Sequence, residues 1–195
     1  MKKKTTAAGM PSIGMLRAEL RREQCIFRYR QMLRSTVCVL LPTAAMAVLI
    51  SIFAFPVLRI YGTSMNPTLV EGDIVISVKS SDFDEGDLTC FYLGNKVLVK
   101  RYIAGPGQWV DIDDTGNVYV DGEMLDEPYL LDKSLGECDI ELPYQIPDGR
   151  IFVMGDHRST SADSRSTSVG CVADEQIIGK IVFRIWPLSN IGTIK

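Results

Sequence analysis

The sequence predicts a mostly β domain of antiparallel strands preceded by one membrane-spanning helix, and three observations carry that reading. Between Arg34 and Arg59 lie about 24 residues without a charge, which as helix exceed the ~30 Å hydrocarbon core of a bilayer. After Ile60, short runs of alternating apolar and polar residues follow one another, separated by Gly, Pro, Asn and Asp. No amphipathic helical pattern of ordinary length interrupts them. At 195 residues, 46% of them apolar, the chain has room for one domain plus an anchor and not for two separate cores. The expected division is a basic arm over 1–35, a span over 36–58 and a β-rich domain over 59–195.

The arm comes first. Lys2, Lys3, Lys4, Arg17, Arg21, Arg22, Arg28, Arg30 and Arg34 all precede the apolar run, while acids gather after it, notably from Asp111 to Glu141, so the small net charge of −3 is unevenly placed. Basic residues ahead of a single span keep the N-terminus in the cytoplasm and export everything after about Ile60. A cleavable secretory signal would begin nearer Met1 and carry a shorter apolar region of ~7–15 residues. Pro42 lies inside the span, where a bend is tolerated. Ser12 to Arg34, with Leu16, Leu20, Ile26 and Phe27 among basic residues, is open to two readings: an amphipathic helix on anionic lipid, or a solvated arm that sets orientation. Membrane lipid is an expected partner on either. Nucleic acid is not, because the positive charge is confined to the juxtamembrane arm.

The strands follow in order. Gly72-Asp73 precedes Ile74–Val78, Lys96–Ala104 ends at Gly105-Pro106-Gly107, and further strands are expected at Trp109–Ile112, Val118–Val120, Ile151–Met154 and Lys180–Trp186. Asp114-Thr115-Gly116-Asn117 and Asp121-Gly122 suit hairpin turns. Asp111-Ile112-Asp113-Asp114 invites a calcium reading, but the position where an EF-hand needs its bidentate glutamate is Gly122, so a hairpin tip is the better account. Cys25, Cys38, Cys90, Cys138 and Cys171 show no C-x-x-C or metal-ligand spacing. Three fall in the exported part, where one pair at most could close. No metal and no cofactor are expected.

Three segments carry chemistry. Ser64 sits in Gly62-Thr63-Ser64-Met65-Asn66-Pro67-Thr68, a glycine-to-proline bend of the kind that exposes a side chain and frees backbone amides, within ~20 Å of extended chain from Leu58. Lys100 lies in the middle of an apolar strand with Leu98 and Tyr102 on its face, a setting that disfavours the ammonium and lowers its pKa. A lone lysine on an edge strand can also be a protective device. Gly155 to Arg165 is a polar loop longer than a hairpin needs. There Asp163 and Arg165 can pair, and a hydroxyl such as Ser161 can hold a neutral amine in line. A serine beside a buried lysine hydrolyses acyl bonds without histidine or metal.

Taken together these segments resemble the bacterial type I signal peptidases, membrane-anchored serine proteases, from the span almost to the C-terminus. Gly62 to Leu69 looks like the nucleophile box, Gly72-Asp73-Ile74-Val75 like the following strand, Lys100-Arg101-Tyr102-Ile103 with Pro106-Gly107 like the general-base box, and Gly155 to Arg165 like the signature loop. The resemblance implies a barrel-like antiparallel domain that removes signal peptides from precursor proteins after small residues at −1 and −3. By it Ser64 is the nucleophile, Lys100 the general base, Ser161 the lysine-orienting hydroxyl, and Asp163 with Arg165 a structural pair. Ile60, Tyr61, Gly62, Met65, Leu69, Leu98 and Val99 are the expected substrate pocket. His157, Gln108 and Ala104-Gly105 depart from the usual pattern without removing a reacting group. Gly62, in place of an oxyanion-donating serine, and the short stretch before the signature loop look Gram-positive. His157, the single histidine, is expected to be structural or solvent-facing, with the base at Lys100. Self-cleaving repressors share the Ser-Lys arrangement but need a DNA-binding domain for which the chain has no room. The remaining alternative is a non-catalytic or dedicated homologue acting in assembly of surface pili, against which the retention of both Ser64 and Lys100 counts.

Overall fold

Residues 13–194 are described in the computed structural model. Lys2, Lys3, Lys4 and Ser12, which the reading of the arm used, lie outside them. The chain divides into two compact units, 1–51 and 52–195.

The first unit is the bulk of one helix, α1 (Ile13–Ala54), which runs from the basic arm into the apolar stretch without a break. Residues 13–34 are therefore continuous with the apolar stretch and not a separate helix; Leu16, Leu20, Ile26 and Phe27 all lie exposed along the same rod. Val37, Val39, Leu40, Leu41, Met46, Val48 and Leu49 are exposed too, a helix apolar on all sides that protein does not cover. By length and composition Ile13–Leu49 is sufficient to cross a membrane. Three of its hydroxyls bond back within the helix: Thr43 Oγ1 donates to the Val39 carbonyl at 3.0 Å, Thr36 Oγ1 to that of Met32 at 2.9 Å and Ser35 Oγ to the same carbonyl at 3.0 Å. The helix stops at Ala54, short of the expected boundary at Leu58, because Val57 and Leu58 belong to a strand.

The second unit holds β1 (Val57–Arg59), β2 (Ile74–Val78), β3 (Leu88–Leu93), β4 (Lys96–Ala104), β5 (Trp109–Ile112), β6 (Val118–Val120), β7 (Glu123–Met124), β8 (Tyr144–Gln145), β9 (Arg150–Met154), β10 (Val172–Ala173), β11 (Ile177–Trp186) and β12 (Gly192–Thr193). Every pairing is antiparallel. The larger sheet runs β1-β2-β11-β3-β4-β9-β10, with β12 on β11, and the smaller runs β7-β6-β5-β8. β3 escaped the sequence reading because its first four residues are all buried, so no alternation shows. Among the described residues beyond α1, helix is limited to short 3₁₀ turns.

Turn chemistry fixes the smaller sheet. Asp121 (φ 51°) and Gly122 (φ 86°) make the two-residue link between β6 and β7. Asp113 caps the β5–β6 turn, accepting from Thr115 Oγ1 at 2.6 Å, Asn117 Nδ2 at 2.8 Å and the Thr115 and Asn117 amides at 2.9 Å. Those bonds, the Thr115 hydroxyl first, hold its carboxyl well below the usual range and give the aspartate a role in the hairpin tip. Phe152, Met154 and Ile103 from the large sheet pack with Val110, Ile112, Val118 and Val120 from the small one. A second cluster, with Ile60, Met65, Leu69, Val75, Leu88 and Ile181, lies beneath the bend that carries Ser64. All five cysteines are free thiols.

Candidate active site

The bend at Ser64 is held from below. Met65 and Leu69 are buried, the Leu69 amide donates to the Met65 carbonyl at 2.8 Å, and Asn66 N to Thr63 O at 3.1 Å. With those side chains turned into the core, Ser64 is left half-buried at the surface beside Gly62, whose φ of 83° makes the reversal. Leu69 was expected in the substrate pocket and is not there: it is fully buried in the cluster under the bend. Ile60, Tyr61, Gly62, Met65, Leu98 and Val99 do line one cleft with Ser64, together with Leu58, Arg59 and Val97, around a volume of about 100 Å³.

Two strand edges border this cleft. Among the described residues β1 pairs with β2 alone. β4 pairs with β3 from Lys96 to Arg101 but with β9 only from Arg101 onward, which leaves the stretch ending at Lys100 open on one side. Open edges present unpaired N–H and C=O groups to an incoming strand.

Lys100 is 3% exposed, and its Nζ donates to Ser161 Oγ at 2.8 Å. Among the described residues Ser161, not Ser64, receives that bond. Burial lowers the lysine pKa from 10.5 to about 8. The nearby Asp163 carboxylate pulls it back up, Arg165 pushes it down, and Asp156 raises it again.

The signature loop ties these groups together. The His157 amide donates to the Ser64 carbonyl at 3.0 Å and the Ser161 amide to the His157 carbonyl at 3.1 Å, so one residue's main chain links the Ser64 bend to the hydrogen-bond partner of Lys100. The His157 imidazole faces Thr160, with Nδ1 3.0 Å from Thr160 Oγ1. A Cβ built on Gly155 would stand 2.6 Å from the Ser64 carbonyl oxygen and overlap Ser161 Oγ, so the Ser64 main chain and the Ser161 side chain both pack against the same face of this glycine. Asp163 and Arg165 form a bidentate, fully buried pair with both bonds at 2.8 Å, and Asp163 Oδ2 accepts from the Gly155 amide at 2.9 Å. Burial alone would raise the Asp163 pKa, but the Arg165 bonds and charge hold it below the usual value.

Sequence reasoning missed a second layer. Arg101 makes a bidentate buried pair with Asp156 at 2.8 and 2.7 Å, and Thr68 Oγ1 donates to the same carboxylate at 2.5 Å. Arg158 pairs with buried Glu127. The available signal was an arginine next to Lys100 in an apolar strand, which requires a buried counter-charge somewhere in the chain.

Comparison with known proteins gives consistent results. Residues 33–186 match the family described as signal peptidase, peptidase S26. The chain is 34% identical over 180 residues to a probable signal peptidase I-1 of Synechocystis sp., covering 84% of this chain and 88% of that protein. It is 37% identical over 152 residues to signal peptidase IB of Staphylococcus aureus, covering 67% and 78%. With the chloroplastic thylakoidal processing peptidase 1 of Arabidopsis thaliana it shares 34% identity over 147 residues, 67% of this chain but only 42% of that longer protein. A crystal structure of a signal peptidase I from Enterococcus faecalis V583 aligns with 25% identity and a TM-score of 0.42, over 52% of this chain and 98% of that one. The pilus-assembly alternative draws no support from these relatives.

Proposed function

The chain belongs to the signal peptidase family, peptidase S26, and is a serine peptidase; from that premise we propose that it cleaves signal peptides from exported precursors with Ser64 as nucleophile and Lys100 as general base. The observation that supports this most directly is the dry Lys100 amine, held on Ser161 and brought to a pKa of about 8. Neutral Lys100 takes the proton from Ser64 Oγ as that oxygen attacks the scissile carbonyl. Backbone amides, chiefly that of Ser64, receive the oxyanion. The ammonium then returns its proton to the leaving amine, and water repeats the cycle on the acyl-enzyme.

The substrate lies extended between the open edges of β1 and β4, so that alternate side chains enter the cleft of Ile60, Met65, Leu98 and Val99. The cleft walls at Ile60, Met65, Leu98 and Val99 are apolar, and small residues at −1 and −3 are the expected occupants. Incubating the purified chain with a signal-bearing precursor is the test. One cut after a small residue is expected, lost when that residue is replaced by Phe; an equal cut with Phe at −1, or by the Ser64→Ala protein, would refute the reading.

The apolar part of α1 is proposed as a single membrane span with a cytoplasmic N-terminus and an extracytoplasmic peptidase domain. The precursor's own apolar segment brings its cleavage point to the outer surface, and the anchor confines the enzyme there. Because residues 52–195 form a compact unit, α1 can be removed. Truncation should slow processing of membrane-inserted precursor by at least ~10-fold, through lost effective concentration, while leaving a short soluble peptide within about 2-fold. Equal loss on both substrates would remove the anchoring role.

A further inference from the structure

One short segment after β7 reaches both catalytic elements through two buried arginines. Glu127 is 5% exposed, and its carboxylate accepts from both terminal nitrogens of Arg158. Arg158 Nε donates to the Gly155 carbonyl at 3.1 Å, and the Arg158 carbonyl accepts from Arg165 Nη2 at 2.9 Å. Two residues on, the Tyr129 hydroxyl donates to Glu127 Oε1 at 3.0 Å, while its ring lies 3.7 Å from the Arg101 guanidinium carbon. Arg101 follows Lys100 in β4 and grips Asp156. Asp156 and Arg158 flank His157, whose amide holds the Ser64 carbonyl.

We infer that Glu127 and Tyr129 are positioning residues for the Ser64–Lys100 reaction, acting through Arg158 and Arg101 to fix the signature loop against the base strand. The inference rests on the function proposed above and deepens it.

The physical argument starts from charge. A buried guanidinium without its counter-charge is strongly destabilised, so Arg158 stays beside Gly155 only while Glu127 opposes it. The Tyr129 ring face supplies the matching restraint on Arg101, a cation over a π-face. Burial, and then the Glu127 charge, keep the Tyr129 phenol protonated and therefore a donor. Loss of either restraint displaces Asp156 or Arg158, and with it His157, Gly155 and the Ser161 hydroxyl on Lys100. The groups whose charges act directly on Lys100, namely Asp163, Arg165 and Asp156, are not themselves substituted in the variants below.

The test compares kcat, KM and the pH profile on a peptide substrate, with thermal melting recorded for each protein. Glu127→Gln should lower kcat by about 100-fold with KM within ~3-fold, the loss expected for misplaced reacting groups. It should also move the acid limb of the profile to lower pH by a few tenths, because a negative charge is gone and Arg158 is unopposed. Glu127→Asp should recover part of kcat. Tyr129→Phe, which keeps the ring, should retain more activity than Tyr129→Leu. Val118→Ala, fully buried in the small sheet, serves as the structural comparator: a lower melting temperature with kcat and profile unchanged. If Glu127→Gln behaves like Val118→Ala, the inference is overturned. Should Glu127→Gln fail to fold, Tyr129→Leu decides by the same readouts. Ser64→Ala separates the two levels: its retained activity would refute the reaction itself, whereas inactive Ser64→Ala beside wild-type Glu127→Gln would refute only the positioning role.

Discussion

Lys100→Ala is expected to lower peptide cleavage by at least ~10³-fold, and His157→Ala to leave it within about 5-fold of wild type, because only the first removes the group proposed to take the Ser64 proton. His157 contributes its main chain: the amide on Ser64 O and the carbonyl that receives Ser161 N persist in an alanine variant. The reverse outcome would transfer the base role to the imidazole. Wild-type activity should rise with pH and level off above about 8, since the ammonium form of Lys100 cannot accept a proton. At pH 7 roughly a tenth of the lysine is neutral.

The same group makes stability depend on pH. In the unfolded chain the amine titrates near 10.5, in the folded protein near 8. Between those values the unfolded state binds more protons, so stability rises with pH across that window and is lost again as pH falls through 8. The full span is on the order of 3 kcal/mol. Lys100→Met should therefore be inactive yet more stable than wild type at pH 7 in denaturant titrations, with the advantage vanishing above pH 10.5. A wild-type stability flat from pH 7 to 10.5 would show that the amine is not dry.

Much of this was legible from alternation and turn residues. β2, β5 and β6 fall on the stretches the pattern marked, since each alternates between more and less buried residues. β3 was not, because burial on both faces erases the period. Lys100 could be read as buried from Leu98 and Tyr102 alone, but its hydrogen-bond partner lies 61 residues away, and composition does not encode such distances. Leu69 was misplaced for a related reason. It shares a segment with Ser64, yet the turn closed by Leu69 N on Met65 O points it inward. The pairs Arg101–Asp156 and Arg158–Glu127 were invisible because several acids could have answered either arginine.

Gly155→Ala should combine a kcat loss of ~10²-fold or more with a destabilisation of about 1–3 kcal/mol. The added Cβ would lie 2.6 Å from the Ser64 carbonyl oxygen and 2.6 Å from Ser161 Cβ, and would overlap Ser161 Oγ. Rotating the Ser161 hydroxyl away relieves one overlap but removes the partner of Lys100 Nζ. Shifting the Ser64 carbonyl relieves the other but breaks its bond to the His157 amide. Neither adjustment preserves the arrangement of Ser64, the Lys100 amine and the Ser161 hydroxyl on which the proposed reaction depends, so activity is expected to fall whichever occurs. Gly122→Ala is the control, since nothing lies within 4 Å of its Cβ position and only the positive φ of 86° is strained. It should lose about 1 kcal/mol in melting experiments and keep kcat. Wild-type kcat in Gly155→Ala would mean that Ser64 and Ser161 do not have to pack together on this glycine, and the proposed dyad geometry would have to be abandoned.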